Sequence, residues 1–474
     1  MELFFELAVL ALLMSSGISA GYLLGLRGLV LIPAAVALAA AIRVVSYSFL
    51  ELTGLAEAGF LVWVSLSVLL LLAALVRHFG AKDYLLWLGV GSVAALVSVS
   101  VTRGLGLRGI PHSDSLWILS LSDLIQRAGD LEIVGGRTAI KRGFSFPLLL
   151  SLGPQGEILS GLIVLIFVAL VVAALWAVRE LAPTLTRRQW VWILVPVGIL
   201  LLSAPIVGRA VLYLNGHTLT ALGVTLAATA VAISVRDQML SRQNLLVIAL
   251  GLMLISTTRP EGVAFAAIIA APLISRRWIS RLDVRLIAGS ALLSFGLWIY
   301  VYDAYIANLL RLYDERFPIA MLLATFLVGL KIFDFLRFRL VPLAAIGMGL
   351  LFGFVLFTNL DSLQDDLMAQ FENMFLGAGF WGSFFIGLIP TLIAIGRKGL
   401  SVQYQTLLTI SILMFVGSFV AKLMDGGLVG DPTLGRVGWT DSLNRMWLHV
   451  FAIFLVTAIV GLAERIKQLE RITA

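Results

Sequence analysis

The stretch from His112-Ser113-Asp114-Ser115 to Phe146-Pro147 is the longest polar interruption in an otherwise apolar chain. It carries Asp114, Asp123, Asp130, Glu132, Lys141 and Arg142, and it lies between two hydrophobic runs at 84–102 and 158–178. Each run is long enough to cross a membrane, which takes about 17–25 residues of helix. A polar segment held between two such runs reads as a loop on one side of a bilayer. That reading decides the fold class.

Working outward, further apolar runs fall near 4–25, 29–50, 56–76, 190–207, 217–235, 244–257, 261–275, 286–302, 318–331, 340–358, 377–396, 402–422 and 446–463. The predicted fold is an all-α integral membrane protein of about 13–15 transmembrane helices. It forms a single polytopic domain over 1–474, with a large, partly helical loop at 103–157. The short runs 244–257 and 261–275 read as two spans or as one re-entrant pair. Composition agrees: 60% of the residues are hydrophobic and 13% charged, with mean hydropathy +1.03, against about 25% charged residues in soluble proteins. There is no cysteine, so disulfides and thiolate metal sites are excluded. The four histidines, His78, His112, His217 and His449, show no metal-ligand spacing. Met1-Glu2-Leu3-Phe4-Phe5-Glu6 lacks the basic start of a cleaved signal, so the first span is expected to be retained.

Charge sets the orientation. With the N-terminus outside, alternate loops hold Arg27, Arg77, Lys82, the bases of 179–188, 236–242, 276–285 and 331–339, Arg397, Lys398 and those of 465–471. That is 20 of the 34 Lys and Arg but 7 of the 27 acids. Basic loops face the cytoplasm, which accounts for the net charge of +7 without any nucleic-acid partner. The expected location is the plasma (inner) membrane with the C-terminus cytoplasmic. The loop at 103–157 and the turn at 257–262 then lie outside, and any chemistry belongs there.

Three stretches could carry it. Asp114 opens a segment with apolar residues at helical spacing, after Pro111, with Ser113 or Asp114 as N-cap. A helix N-terminus favours the anion, which suits a general base as well as a cap. In Thr257-Thr258-Arg259-Pro260-Glu261-Gly262, Pro260 disfavours helix at Arg259 and opens a new one, placing Glu261 near its positive end. Arg259 is fixed near membrane depth, where a lone cation is costly; an internal Arg259–Glu261 pair would merely tidy the turn, but its place on the outer side with Asp114 favours a functional or site-supporting role. In Gly438-Trp439-Thr440-Asp441-Ser442-Leu443-Asn444-Arg445, Asp441 and Arg445 share a helix face if the segment is helical. Lys141 and Arg142 are weaker candidates for holding phosphate, and His112 neighbours Asp114. Arg43, inside the second run, either faces the bundle with a partner or snorkels outward, and snorkelling is the reading preferred; His217 is expected to be exposed; 361–371 reads as an amphipathic surface helix.

The acid-opened loop, Gly135-Gly136, Phe144-Ser145-Phe146-Pro147-Leu148-Leu149-Leu150 and the Thr-Arg-Pro-Glu-Gly turn together resemble the GT-C superfamily of polytopic glycosyltransferases. The resemblance starts at about the third span. It implies a polyprenyl-phosphate-linked sugar as donor, a glycan, lipid or protein acceptor, and direct inverting displacement. By that resemblance Asp114 is the base, and Arg445, with Arg259 or Lys141, receives the phosphate. Many members carry a second acid where Ser115 stands, so no strict metal requirement is expected, although the superfamily admits a divalent cation. The competing class is a transporter or lipid flippase, which would carry paired broken helices in both halves; a scaffold for envelope assembly is the third.

Overall fold

The computed structural model describes residues 2–52, 55, 58–78, 80–104, 113–127, 145–153, 159–210, 216–259, 261–301, a few positions in 339–353, and 360–396, 399–429 and 446–473. All regular elements among them are helical. The first four helices are α1 (Glu2–Leu23), α2 (Leu31–Leu52), α3 (Gly59–His78) and α4 (Lys82–Gly104). The loop stretch contributes α5 (Ser113–Arg127) and α6 (Ser145–Leu150). Then come α7 (Ser160–Leu181), α8 (Arg187–Leu202), α9 (Pro205–Ala210), α10 (His217–Asp237), α11 (Arg242–Thr258), α12 (Gly262–Ile274) and α13 (Arg281–Val301). The last four are α14 (Leu360–Phe375), α15 (Phe384–Ile395), α16 (Val402–Val429) and α17 (Phe451–Thr473).

Among the described residues, six helices are long and apolar enough to cross a membrane: Leu3–Leu23, Gly28–Leu50, Gly59–His78, Lys82–Gly104, Gly161–Leu181 and His217–Asp237. Four shorter apolar helices join them, Arg242–Thr258, Gly262–Ile274, Phe384–Ile395 and Val402–Ser418. The chain is an all-α membrane protein. The expected run 318–331 and most of 340–358 lie outside the described residues.

α10 is the axis of the bundle, buried without a break from His217 to Val235. It runs antiparallel to α11. Gly216 meets Thr258, Gly223 meets Gly251, and Asn244 Nδ2 donates to Ser234 Oγ at 3.2 Å. Small residues make the approach close, which is how helices gain packing energy where lipid offers no hydrophobic drive. Three hydroxyls on α10, those of Thr220, Thr225 and Ser234, each donate to the carbonyl four residues back, at 2.7–2.9 Å. At the crossing, a methyl on Gly251 would sit 2.6 Å from the Gly223 carbonyl oxygen. Gly→Ala inside a helix ordinarily stabilises by about 0.5–1 kcal/mol. At Gly251 the sign should reverse: Gly251→Ala is expected to cost about 1–3 kcal/mol by overpacking, read as a lower thermal midpoint of the purified protein in detergent.

α7, α12 and α16 surround α10, and α1 packs against α2, α3 and α4. The two spans that flank the large loop, α4 and α7, also pack together. Buried Glu6 of α1 joins them: its carboxylate accepts from the Gly161 backbone N–H at 2.8 Å and pairs with Arg103 at 3.1 Å. A carboxylate on the first turn of α7 also satisfies that helix's positive end.

α11 and α12 are two helices back to back, about 25 and 20 Å long at 1.5 Å per residue. Both are shorter than the roughly 30 Å hydrocarbon core. Their turn, 259–261, lies at the end of the bundle opposite the basic segments. At that basic end Arg236 donates to the Glu180 carbonyl, Arg465 Nε to the Ile395 carbonyl at 2.7 Å, and Gln468 to the Gly399 carbonyl. The run expected at 446–463 is a 3-10 turn, Trp447–His449, followed by α17, which continues ten residues past the apolar stretch.

Candidate functional site

The site is built on the turn between α11 and α12. Arg259 is extended (φ −142°, ψ 141°), the conformation a following proline demands. Glu261 is the N-cap of α12, one step before the first turn where the sequence placed it, and its side chain does not cap the helix. It turns instead to Arg259: Nε to Oε1 is 3.0 Å, with the side chains 10% and 20% exposed. Gly262 lies so close to α11 that a Cβ would fall 2.0 Å from the Ile255 carbonyl oxygen. No other residue fits there without moving a helix, which explains the final glycine of the Thr-Arg-Pro-Glu-Gly motif.

Behind the ion pair stand two histidines that local sequence does not connect. His217, the first residue of α10, and His449, in the turn before α17, are 232 residues apart, yet Nδ1 of one lies 2.7 Å from Nε2 of the other. Both are buried. His217 is therefore not the exposed residue expected from its place at a span end. His449 is edge-on to Phe265 of α12, with ring centroids 6.1 Å apart, and it lies within electrostatic reach of Arg259. Its Nδ1 is buried with no hydrogen-bond partner among the described residues.

The loop segment reaches the same place. Ser145, which opens α6, donates its hydroxyl hydrogen bond to Thr257 of α11. All six residues of α6 are buried. α5 packs on α6, and Gln126 fastens the two by donating to the Ser151 and Gly153 carbonyls at 3.1 and 2.7 Å. Arg43 holds the other side of α6. Its guanidinium donates to the Leu148 carbonyl (3.3 Å), the Gly59 carbonyl (2.8 Å) and Ser151 Oγ (3.1 Å). The expectation that Arg43 snorkels is corrected: it is buried, and these oxygens meet its need for partners inside the bundle.

Of the residues singled out in the sequence, Arg259 and Glu261 are therefore in contact. Asp114 lies in the first turn of α5, its side chain outside the described part. His112, Lys141, Arg142 and Arg445 lie outside the described residues. The described chain resumes at Met446, three residues before His449. Among the described residues no group of three His, Asp or Glu side chains is placed to hold a metal ion.

A groove of about 960 Å³ runs alongside, between α7, α8, α9 and α17. Its walls are apolar, with Phe167, Leu170, Leu194, Leu201 and Leu455 among them. At the turn end it begins at Pro205, Gly208 and Phe451, and Phe451 is two residues past His449. No family model, curated protein or solved structure matches the chain.

Proposed function

We propose that the protein is an inverting glycosyltransferase of the GT-C kind, which moves a sugar from a polyprenyl-phosphate donor to an acceptor hydroxyl at the turn end of the bundle. One observation carries the reading. The loop segment 145–153, the Thr-Arg-Pro-Glu-Gly turn and the approach to the last helix are far apart in sequence, and they meet around Ser145–Thr257, Arg259–Glu261 and His217–His449. The turn itself carries Arg259 and Glu261, and the other two segments adjoin in sequence the stretches 112–142 and 438–445, whose residue types suit acid–base and phosphate chemistry. The apolar groove that begins beside them suits a lipid tail, so a donor could be delivered from the membrane with its phosphate held at the polar mouth.

In the proposed step Asp114 takes the proton of the acceptor hydroxyl as its oxygen bonds to the anomeric carbon. On the opposite face the bond from that carbon to the phosphate oxygen breaks, and its electron pair leaves with the phosphate. Configuration inverts. Arg445, with Arg259 or Lys141, holds the departing phosphate, for which the flat guanidinium is suited through paired hydrogen bonds. Arg142 and His112 belong to the same polar stretch as Asp114. The work would be done on the outer side of the plasma membrane, with the basic end of the bundle in the cytoplasm. No step is routed through a metal.

The test is transfer of radiolabelled sugar from a panel of polyprenyl-phosphate donors by the purified protein, with a membrane lipid extract supplying acceptors. Label moving into a new product with at least one donor is the expected result. No transfer, together with no binding of any donor, would overturn the reading and favour a transporter or flippase.

A further inference from the structure

The basic end of the bundle holds a second cavity, of about 470 Å³, at the junction of α7, α10, α16 and α17. Its cations are Arg236, Lys467 and Arg471. Its acids are Glu180 and Glu464, and the Glu464 carboxylate is already occupied by the backbone N–H of Ser401, at 2.8 Å, and by the Ser401 hydroxyl. Ala182 and Pro183 form part of the wall, and the same two residues line the apolar groove. A charged chamber and an apolar slot therefore share a wall, with Arg179 at the slot's near end.

We propose that this junction binds an anionic phospholipid of the leaflet at the basic end. The phosphodiester lies among Arg236, Lys467 and Arg471, and an acyl chain runs past Ala182-Pro183 into the groove. Three features select that occupant. The first is contiguity, because a free anion would need the chamber alone and an apolar ligand the groove alone. The second is charge: Arg236, Lys467 and Arg471 line the chamber with Arg179 beside it, against Glu180 and an already engaged Glu464 in the same lining. The third is exchangeability. Lys467 pairs with Glu470 at 3.2 Å, both about two-fifths exposed, and Arg236 pairs with Asp237 at 2.7 Å, both about a third or more exposed. Exposed pairs of this kind are weak and give way to a better anion. Length also permits the assignment. α8, which walls the groove, is about 24 Å long, whereas one leaflet supplies about 15 Å of hydrocarbon. A chain entering from the basic end leaves the turn end of the groove open. This site does not depend on the proposed transfer reaction.

The experiment compares wild type with the Lys467→Gln/Arg471→Gln double variant, which leaves the Arg236–Glu180 bond in place. Each purified protein is titrated with phosphatidylglycerol, phosphatidylethanolamine and sn-glycerol 3-phosphate. Bound lipid is counted by native mass spectrometry, and the thermal midpoint is followed in parallel. Wild type should retain phosphatidylglycerol and be stabilised by it. The variant, with an unchanged midpoint in the absence of lipid, should retain it about 25-fold less, from roughly five-fold for each of the two basic residues at a membrane surface. Glycerol phosphate should do nothing, for want of a chain. Equal retention by both proteins overturns the site. Equal stabilisation by phosphatidylethanolamine overturns the anionic headgroup, and stabilisation by glycerol phosphate alone overturns the lipid. Should the double variant fail to fold, Val178→Trp, which fills the groove and spares every cation, must lower phosphatidylglycerol retention in the same assay; undiminished retention overturns the site.

Discussion

Asp114→Asn is expected to lower the rate of sugar transfer by about 10²–10⁴-fold, the usual contribution of a positioned general base, with yield and thermal midpoint unchanged. The substitution separates the two roles open to this side chain. Asp114 stands in the first turn of α5. Asparagine has nearly the shape of aspartate and is as good a helix N-cap, so if capping were the residue's whole task the variant would work normally. What asparagine lacks is basicity. The rate is read at saturating donor and acceptor, beside Ser115→Ala as a control on the same turn. A variant that transfers at the wild-type rate sinks the base assignment and leaves the donor reading intact, since the donor panel tests that separately.

The sequence announced the membrane fold because its signal is length of apolar chain, and length is hard to mimic. The runs at 29–50, 84–102 and 217–235 became helices over Gly28–Leu50, Lys82–Gly104 and His217–Asp237. Hydropathy misled where glycine interrupts an apolar run. The stretch 377–396 reads as one span, but its first part is a turn. Gly377 and Gly382 have φ of +86° and +54°, Phe380 is held at +61°, and only Phe384–Ile395 is helical. α8 begins earlier than its apolar run suggests, because Thr186 and Gln189 form a capping box ahead of it.

The candidate site was legible only in its local part. Arg259 and Glu261 are two residues apart across a proline, so their pairing could be read from the chain. The environment of Arg43 comes from Leu148 and Ser151, more than a hundred residues away, and an isolated helix gives no hint of them. The same holds for His217 and His449. Each stands at or near the start of an apolar run and looks bland alone. The one available signal was that both fall at the same end of their helices under the expected topology, which places them on one side without placing them in contact.

Arg259 is the residue on which the local and the functional readings part most clearly, and Arg259→Met is expected to reduce transfer by about 10²–10³-fold, the scale of losing one group that stabilises charge in the transition state. It should also destabilise the fold, because Glu261 is left mostly buried without its partner at 3.0 Å. The loss of activity alone therefore proves little, and a cycle is needed. Glu261→Met removes the acid and leaves the cation; Arg259→Met/Glu261→Met removes both. A pair that only orders the turn predicts that the double variant, with no charge stranded, regains the thermal midpoint and the activity together. An arginine that receives phosphate predicts that the double variant regains the midpoint but not the activity. In that case Glu261→Met remains the more active of the two single variants, since its guanidinium is still present and has lost its competitor. Arg259→Lys sharpens the contrast. A lysine keeps the charge and can pair with Glu261, but it cannot form the paired hydrogen bonds of a guanidinium. Near-normal stability with impaired transfer is the outcome expected there, and equal recovery of both would reduce Arg259 to a part of the turn.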